Sequence, residues 1–416
     1  MQPLTPTRNL YDVAVIGSGP SGAVCAGVLA ERGYKVALID RSAFPRDKAC
    51  GDVIGPRALA LLRRIGAPLP QGASIGSMDL WFPNGRVMTL PSEPGLEEGG
   101  VGIAMQRYGF DESLHRWAIR RGAKEIIARL TSIEELPEGA LRLELESGTN
   151  TRRIVAQVLV GADGANSSVA RALGLANQTS MLRAFAIRQY VEGELARPVI
   201  SLLERGRSLF PGYGWVFPVK PGVLNVGIGI SAPHGSRRAP GATDALGPYL
   251  DEVFAQGIAQ GTARSVSPPL GGWLSMGMAG ISPGKRRVLL IGDAAGLINP
   301  LQGEGIAQAV ESAIGAADAI QIAIDDPLPH YTRYLNETHR VYQCGAATLQ
   351  RIVLSQPQLA GVALKLLSTP RLARAIAPTW GIYWNDLAQT TGPLRGAKFA
   401  RTIERVAASL GSIRSH

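Results

Sequence analysis

Hydrophobic and polar positions follow two different periods along this chain. Val13–Ile16 is an unbroken apolar run and predicts a buried strand; after a glycine-rich turn, Ala23–Arg32 predicts a helix, and Lys35–Ile39 a second strand. The run VLVGADGANSSVARALG, 158–174, predicts a strand that ends near Asp163–Gly164 and leads into a helix. RRVLLIGDAAGLINPLQGEGIAQAVESA, 286–313, predicts a strand to Gly292–Asp293, a loop through Pro300, and a helix opened by Gly303–Glu304–Gly305. Elsewhere the spacing drops to two. ASIGSMDLWF and LRAFAIRQYVEGE alternate over short runs, and in PGYGWVFPVKPGVLNVGIG, 211–229, Tyr213, Trp215 and Phe217 share one face of a strand. Segments 76–100 and 181–279 therefore read as antiparallel sheet. From 331 onward the pattern is helical, broken by Pro357, Pro370, Pro378 and Pro393.

Composition narrows the class. The chain has 416 residues, 45% hydrophobic and 18% charged, enough for two joined domains with sizeable cores. Its net charge is +10, yet no dense Lys/Arg block or nucleic-acid motif stands out, so an anionic cofactor or membrane surface is expected and nucleic acid is not. Three cysteines, widely spaced, form neither a disulfide framework nor a zinc site. The first residues lack the apolar core of a signal peptide, and no run of about 20 apolar residues predicts a membrane span. The expected location is the cytoplasm.

The chemistry starts at YDVAVIGSGPSGAVCAGVLAERGYKVALIDRS, 11–42. Gly17 makes a tight turn, Gly19 lets backbone approach a pyrophosphate, and Gly22 lets helix pack on strand. The helix start offers N–H groups and partial positive charge to phosphate. Asp40 ends the second strand, placed to accept from an adenosine ribose. Strand, glycines, helix and acid in this order predict dinucleotide binding. Two later motifs select a flavin: Asp293 is placed for the ribityl hydroxyls, and N–H groups at the Gly305 helix start face the pyrimidine edge. Asp163 has two readings, a cofactor contact or the N-cap of its own helix.

Together these stretches, with FPRDKACGDVIGPRAL at 44–59, resemble the geranylgeranyl reductase family of FAD-dependent oxidoreductases, which has the aromatic-hydroxylase fold. The resemblance covers roughly 10–340. Ring hydroxylases of this fold carry His after GDAA, where Gly296 stands here; the WxWxIP signature of flavin-dependent halogenases is replaced by Tyr213 to Pro218. The resemblance implies non-covalent FAD held by Gly17, Gly19, Gly22, Asp40, Arg41, Arg107, Asp163, Gly164, Asp293, Gly303, Gly305 and Ile306. It also implies that Tyr213, Trp215 and Phe217, with Gly227 and Gly229 after them, line an apolar substrate cavity, and that Cys50 faces it. Cys50 is then either a proton donor or a small packing residue, with Tyr213 the other candidate acid. The family often has further glycines after the Cys-Gly pair; Asp52–Val53 departs from that.

The expected fold is α/β plus α+β. A discontinuous Rossmann-like FAD-binding domain takes 1–75, 101–180 and 280–330, an antiparallel-sheet substrate domain 76–100 and 181–279, and a helical region 331–416. The expected activity is reduction of carbon–carbon double bonds in a prenyl or similarly apolar substrate. The alternatives are a flavin monooxygenase or oxidase acting on a secondary metabolite, and a non-catalytic FAD-binding protein. One dinucleotide fingerprint leaves the electrons to a visiting NAD(P)H, a ferredoxin or another donor protein. From 321 to 416 there are 11 Lys and Arg against 5 Asp and Glu. With LAGVALKLL, 359–367, this suits either a solvated helical cap on the cavity or a peripheral contact with an anionic membrane.

Overall fold

The computed structural model describes residues 9–374, apart from 93–99, 205–206, 210, 233–240 and 352–355. Leu10–Ile16 lies at the centre of a sheet, parallel to Val36–Asp40 on one side and to Asn150–Gly161 on the other. Lys124–Ile127 and Val288–Leu290 extend the parallel core outward. Val13, Ala14 and Val15 are fully buried, which is why their strand reads as an unbroken apolar run. The helices Pro20–Glu31, Arg107–Arg120 and Ile306–Ile322 pack beside it, and their apolar residues join one large core with the sheet. An antiparallel hairpin, Arg129–Glu135 with Leu141–Ser147, is attached through Asn150–Gly161 and was not expected from the periodicity.

The second sheet has seven strands, in the order Leu270–Met276, Leu182–Glu192, Val223–Ser231, Gly212–Lys220, Val199–Ser201, Met78–Trp81 and Val87–Leu90. The segments around 76–100 and 181–279 thus build one sheet, with Val199–Ser201 and Met78–Trp81 its parallel pair. Two faces separate its residues by the period-two rule. Val216, Val226 and Ile228 pack with Leu246, Tyr249 and Val253 of the helix Ala242–Ala255. That helix falls inside the expected sheet segment; Pro248 in its interior breaks the usual helical signal. The opposite face carries Tyr213, Trp215, Phe217 and Tyr190 in a separate cluster.

In the C-terminal region, Leu328–Leu335, Val341–Leu349 and Pro357–Leu367 are helices. Pro357 opens the last of these at its first turn, where a missing N–H costs nothing. The expected breaks at Pro378 and Pro393 lie outside the described residues. No helix among the described residues is long and apolar enough to cross a membrane.

Candidate active site

The glycine loop connects Leu10–Ile16 to the helix Pro20–Glu31. Gly17 has φ +99°, and a Cβ there would stand 2.4 Å from the Ala162 carbonyl oxygen. At Gly22 a Cβ would meet the Gly17 carbonyl at 1.8 Å. Gly19 differs: a Cβ would find only the end of the Arg46 side chain, at 3.6 Å. No side chain caps the helix that starts there. Bare backbone, free helix-start N–H groups and a guanidinium therefore face one space, which suits a pyrophosphate.

Asp40 ties this loop in place. Its carboxylate accepts from the Ser18 N–H at 2.8 Å and the Ser42 N–H at 3.0 Å, and Arg46 approaches to 3.6 Å. Just past it, an open cavity of about 370 Å³ is lined by Arg41, Ser42, Ala128 and Arg129, among others. Its position beyond Asp40 fits the adenosine end of a dinucleotide.

The other end of the site is built by three loops. Lys48 Nζ donates to Asp293 at 3.0 Å, joining the Cys50 loop to the GDAAG turn. Gly296 ends that turn at φ +71°, and a Cβ there would stand 3.0 Å from the Ile281 side chain. Gly305 precedes the helix Ile306–Ile322 without a side-chain cap, and a Cβ on it would come 3.5 Å from an Asp293 oxygen. Glu304 Oε1 accepts from the Ala307 N–H at 3.3 Å, so the first turn of that helix, beside Asp293, is capped in part from the preceding loop. Gly303, at φ +70°, is occupied from one side: its Cβ would stand 2.7 Å from the Tyr213 hydroxyl. That hydroxyl donates to the Gln302 carbonyl, and burial pushes its pKa up, so it stays protonated.

The three rings of the aromatic strand do not share one environment. Trp215 and Phe217 are 5% and 8% exposed and pack with Ile75, Met78, Leu90 and Ile200. The Cys50–Gly51 backbone rests on them: a Cβ at Gly51 would meet Phe217 at 3.3 Å and Trp215 Nε1 at 3.5 Å. Trp215 and Phe217 therefore form the floor under this loop, where a substrate wall was expected. Tyr213, half-buried and edge-on to Trp215 at 6.1 Å, is the ring whose hydroxyl reaches the turn before the Ile306 helix.

Beneath the loop lies a polar network that the sequence reading missed. Asp52 is fully buried at φ +66°. It accepts from the Tyr190 hydroxyl at 2.6 Å, the Asn225 amide at 2.8 Å and the Arg107 N–H at 3.3 Å. Burial pushes its carboxyl up to about 6, while the Tyr190 and Asn225 hydrogen bonds pull the other way. Asn225 also donates to the Cys50 carbonyl at 2.8 Å and accepts from Trp215 Nε1 at 2.9 Å. Arg188, 1% exposed, stacks on Tyr190 at 4.1 Å and donates to Asp47 at 2.6 Å. Asn225 carried one signal: it is a polar residue at an inward position of a period-two strand, opposite Phe217.

Two expected cofactor residues have other partners. Arg107 is 4% exposed and clasped by both Asp111 oxygens at 2.6 and 2.8 Å. Burial opposes its charge, and the Asp111 carboxylate more than offsets this, so it stays protonated. Asp163 accepts from Ser167 Oγ, Ser168 N, Ser168 Oγ and Val169 N at 2.5–3.3 Å, which is helix capping. Gly164 beside it has φ +80° and open space around its missing Cβ. Of the cysteines not expected to act, Cys25 is buried, with its thiol pushed up to about 12 by that burial.

Residues 10–192 match the family described as FAD binding domain. The chain is 33% identical to a menaquinone reductase of Mycolicibacterium smegmatis over 74% of this chain and 75% of that one. It is 31% identical to a digeranylgeranylglycerophospholipid reductase of Methanoculleus marisnigri, covering 73% and 74%. The crystal structure of a geranylgeranyl bacteriochlorophyll reductase-like protein from Thermoplasma acidophilum superposes with a TM-score of 0.70 at 20% identity, over 97% of this chain and 99% of that one.

Proposed function

Because this chain belongs to the geranylgeranyl reductase family of FAD-dependent oxidoreductases, we propose that it saturates carbon–carbon double bonds in the prenyl part of an apolar substrate. The observation that carries the reading is the strand Gly212–Lys220, which sets the Tyr213 hydroxyl against the Gly303 turn before the Ile306 helix and supports the Cys50–Gly51 loop on Trp215 and Phe217. The relatives named as menaquinone and digeranylgeranylglycerophospholipid reductases support the substrate class.

Gly17, Gly19, Gly22, Asp40, Arg41 and Arg46 would hold the dinucleotide, and Asp293, Gly305 and Ile306 would border its flavin end. Reduced FAD bound there would be the source of hydride for one alkene carbon. The chain's own residues supply the rest. A proton from the Cys50 thiol or the Tyr213 hydroxyl reaches the other carbon, so the alkene gains two hydrogens in all. An isolated alkene polarises weakly, so an acid fixed opposite the hydride matters more than it would for an enone. Asp52, Asn225 and Trp215 fix that acid by holding the Cys50 backbone. The electrons come from NAD(P)H, a ferredoxin or another donor protein.

The test is anaerobic turnover of prenylated quinones and prenyl lipids by photoreduced protein, read by mass spectrometry. A gain of two hydrogens supports reduction. A gain of one oxygen, only in air, would make it a monooxygenase. Cys50→Ala and Tyr213→Phe identify the acid: the variant of the true donor loses about 10²-fold in turnover while keeping its FAD.

A further inference from the structure

The helix Pro357–Leu367 is apolar on both sides. Ala360 is 4% exposed and turned toward the protein. Leu359, Val362 and Leu366 are 48%, 57% and 52% exposed. Their spacing of three and four residues puts all three on one stripe. An ordinary surface helix would present charged residues there, and a helix apolar all round is normally covered by something. Leu372, 36% exposed, adds to the same run of exposed apolar residues just beyond the helix.

The charges around the stripe indicate what covers it. From 357 to 374 the sequence contains Lys365, Arg371 and Arg374 and no Asp or Glu. All three bases are exposed, and Lys365 sits on the helix beside the stripe. The helix end is fixed to the edge hairpin of the second sheet, where Asn84 donates to Ser368 Oγ at 3.3 Å and Arg86 donates to the Ser368 carbonyl. That hairpin contributes the exposed Val87, at 47%. Apolar side chains whose only charged neighbours within 357–374 are bases, on a helix anchored at one end, match the interface of a bilayer with anionic headgroups. A cytosolic protein partner would more usually meet mixed charge at the rim.

We propose that Leu359, Val362 and Leu366 insert into the headgroup boundary of an anionic lipid bilayer, with Lys365, Arg371 and Arg374 on its phosphates. Their stems lie along the apolar surface while their charged ends reach the headgroups. The inference rests on this face alone and stands whether or not the reductase reading holds.

The test is flotation of the full chain with vesicles of phosphatidylcholine alone and of phosphatidylcholine mixed with phosphatidylglycerol. Binding is expected to the mixed vesicles, falling with added salt. The triple variant Leu359→Gln, Val362→Gln, Leu366→Gln is expected to bind more than tenfold less, with FAD content and Tm unchanged because the replaced residues are exposed. Lys365→Gln and Arg371→Gln are each expected to lower binding to anionic vesicles roughly fivefold, the scale of one basic residue at such a surface. The proposal fails if the full chain ignores both vesicles, or if the triple variant binds like wild type. It also fails if the triple variant instead converts an oligomer to a monomer, which would mean that a second copy covers the stripe.

Discussion

The loop after the first strand and the aromatic strand are both punctuated by glycine, and the glycines serve opposite ends. At Gly19 the missing side chain leaves space in which only the tip of Arg46 stands, 3.6 Å from where a Cβ would be. At Gly214, Gly227 and Gly303 the space is already taken: a Cβ would meet Tyr249 at 2.3 Å, Trp215 at 2.3 Å and Tyr213 at 2.7 Å. One glycine keeps room for a ligand, and the others are sockets for the chain's own rings. GxG is written in both places, and only the tertiary partner separates the two uses.

The sharpest test of a socket removes the ring. Trp215→Ala is expected to cost about 3–5 kcal/mol, the range for truncating a buried aromatic residue, measured by denaturant unfolding of the FAD-free protein. Gly227→Ala alone is expected to cost about 1–3 kcal/mol by overpacking, because its Cβ would also stand 2.6 Å from the Ile187 carbonyl oxygen. Combined, the two changes should cost less than their sum, since Trp215→Ala vacates most of the disputed volume. Strict additivity would break the socket reading.

Gly19→Val tests the opposite case. Gly19 lies at φ −70° and ψ −174°, a conformation open to any residue. The fold should therefore hold while FAD binding weakens about a hundredfold or more, roughly 2.7 kcal/mol. Flavin fluorescence titration reads the Kd, and circular dichroism the fold. Wild-type affinity would mean that the space at Gly19 is not where the cofactor runs.

The same contrast explains what was legible in the sequence. The strand–loop–helix unit of Leu10–Asp40 and the helix after Gly305 were readable because each is local: glycines, apolar run and acid follow one another within about one supersecondary unit. The Asp52 network was not. Asp52 bonds Tyr190 and Asn225, separated from it by 138 and 173 residues, and no local pattern pairs them. The aromatic strand was legible as a face but not as a floor. Alternation shows that Tyr213, Trp215 and Phe217 point the same way, and says nothing about the Gly51 backbone lying on two of them. Asp163 was legible only as one of two things, cofactor acid or helix cap, because GADG and the serines that follow fit both, and the choice rests on where its oxygens point.

Asp52 offers a pH-dependent test of the floor. Its carboxyl is raised from 3.8 to about 6 in the folded protein. The folded state therefore holds this proton more tightly than the unfolded chain. The resulting stabilisation is fully present below about pH 4 and is lost as pH rises through about 6. Asp52→Asn removes that fall, so the wild type should lose stability relative to the variant, on the order of 3 kcal/mol, as pH rises from about 4 through 6. Asn also tolerates the positive φ at this position. Parallel stability–pH curves for the two proteins would show that Asp52 does not titrate there.

The smallest expected effect is at Asp163, and it asks whether an acid in a flavin motif faces the cofactor or its own helix. The two oxygens of Asp163 take four hydrogen bonds from residues 167–169, and Ser167 Oγ accepts from Ala170 N at 2.9 Å. A carboxylate so engaged, at the positive end of a helix, is working as a cap. Asp163→Asn keeps one acceptor oxygen and loses the charge, so it should cost about 1 kcal/mol of stability, the usual scale of a cap. Because those bonds are spent within the chain, FAD affinity should change less than twofold. Ser167→Ala, which removes the neighbouring cap and one of the four bonds to the acid but leaves its charge, should give a similar small loss and the same unchanged Kd. If Asp163→Asn instead weakened FAD tenfold or more while Ser167→Ala did not, the carboxylate would belong with the open space at Gly19, on the ligand's side of the comparison.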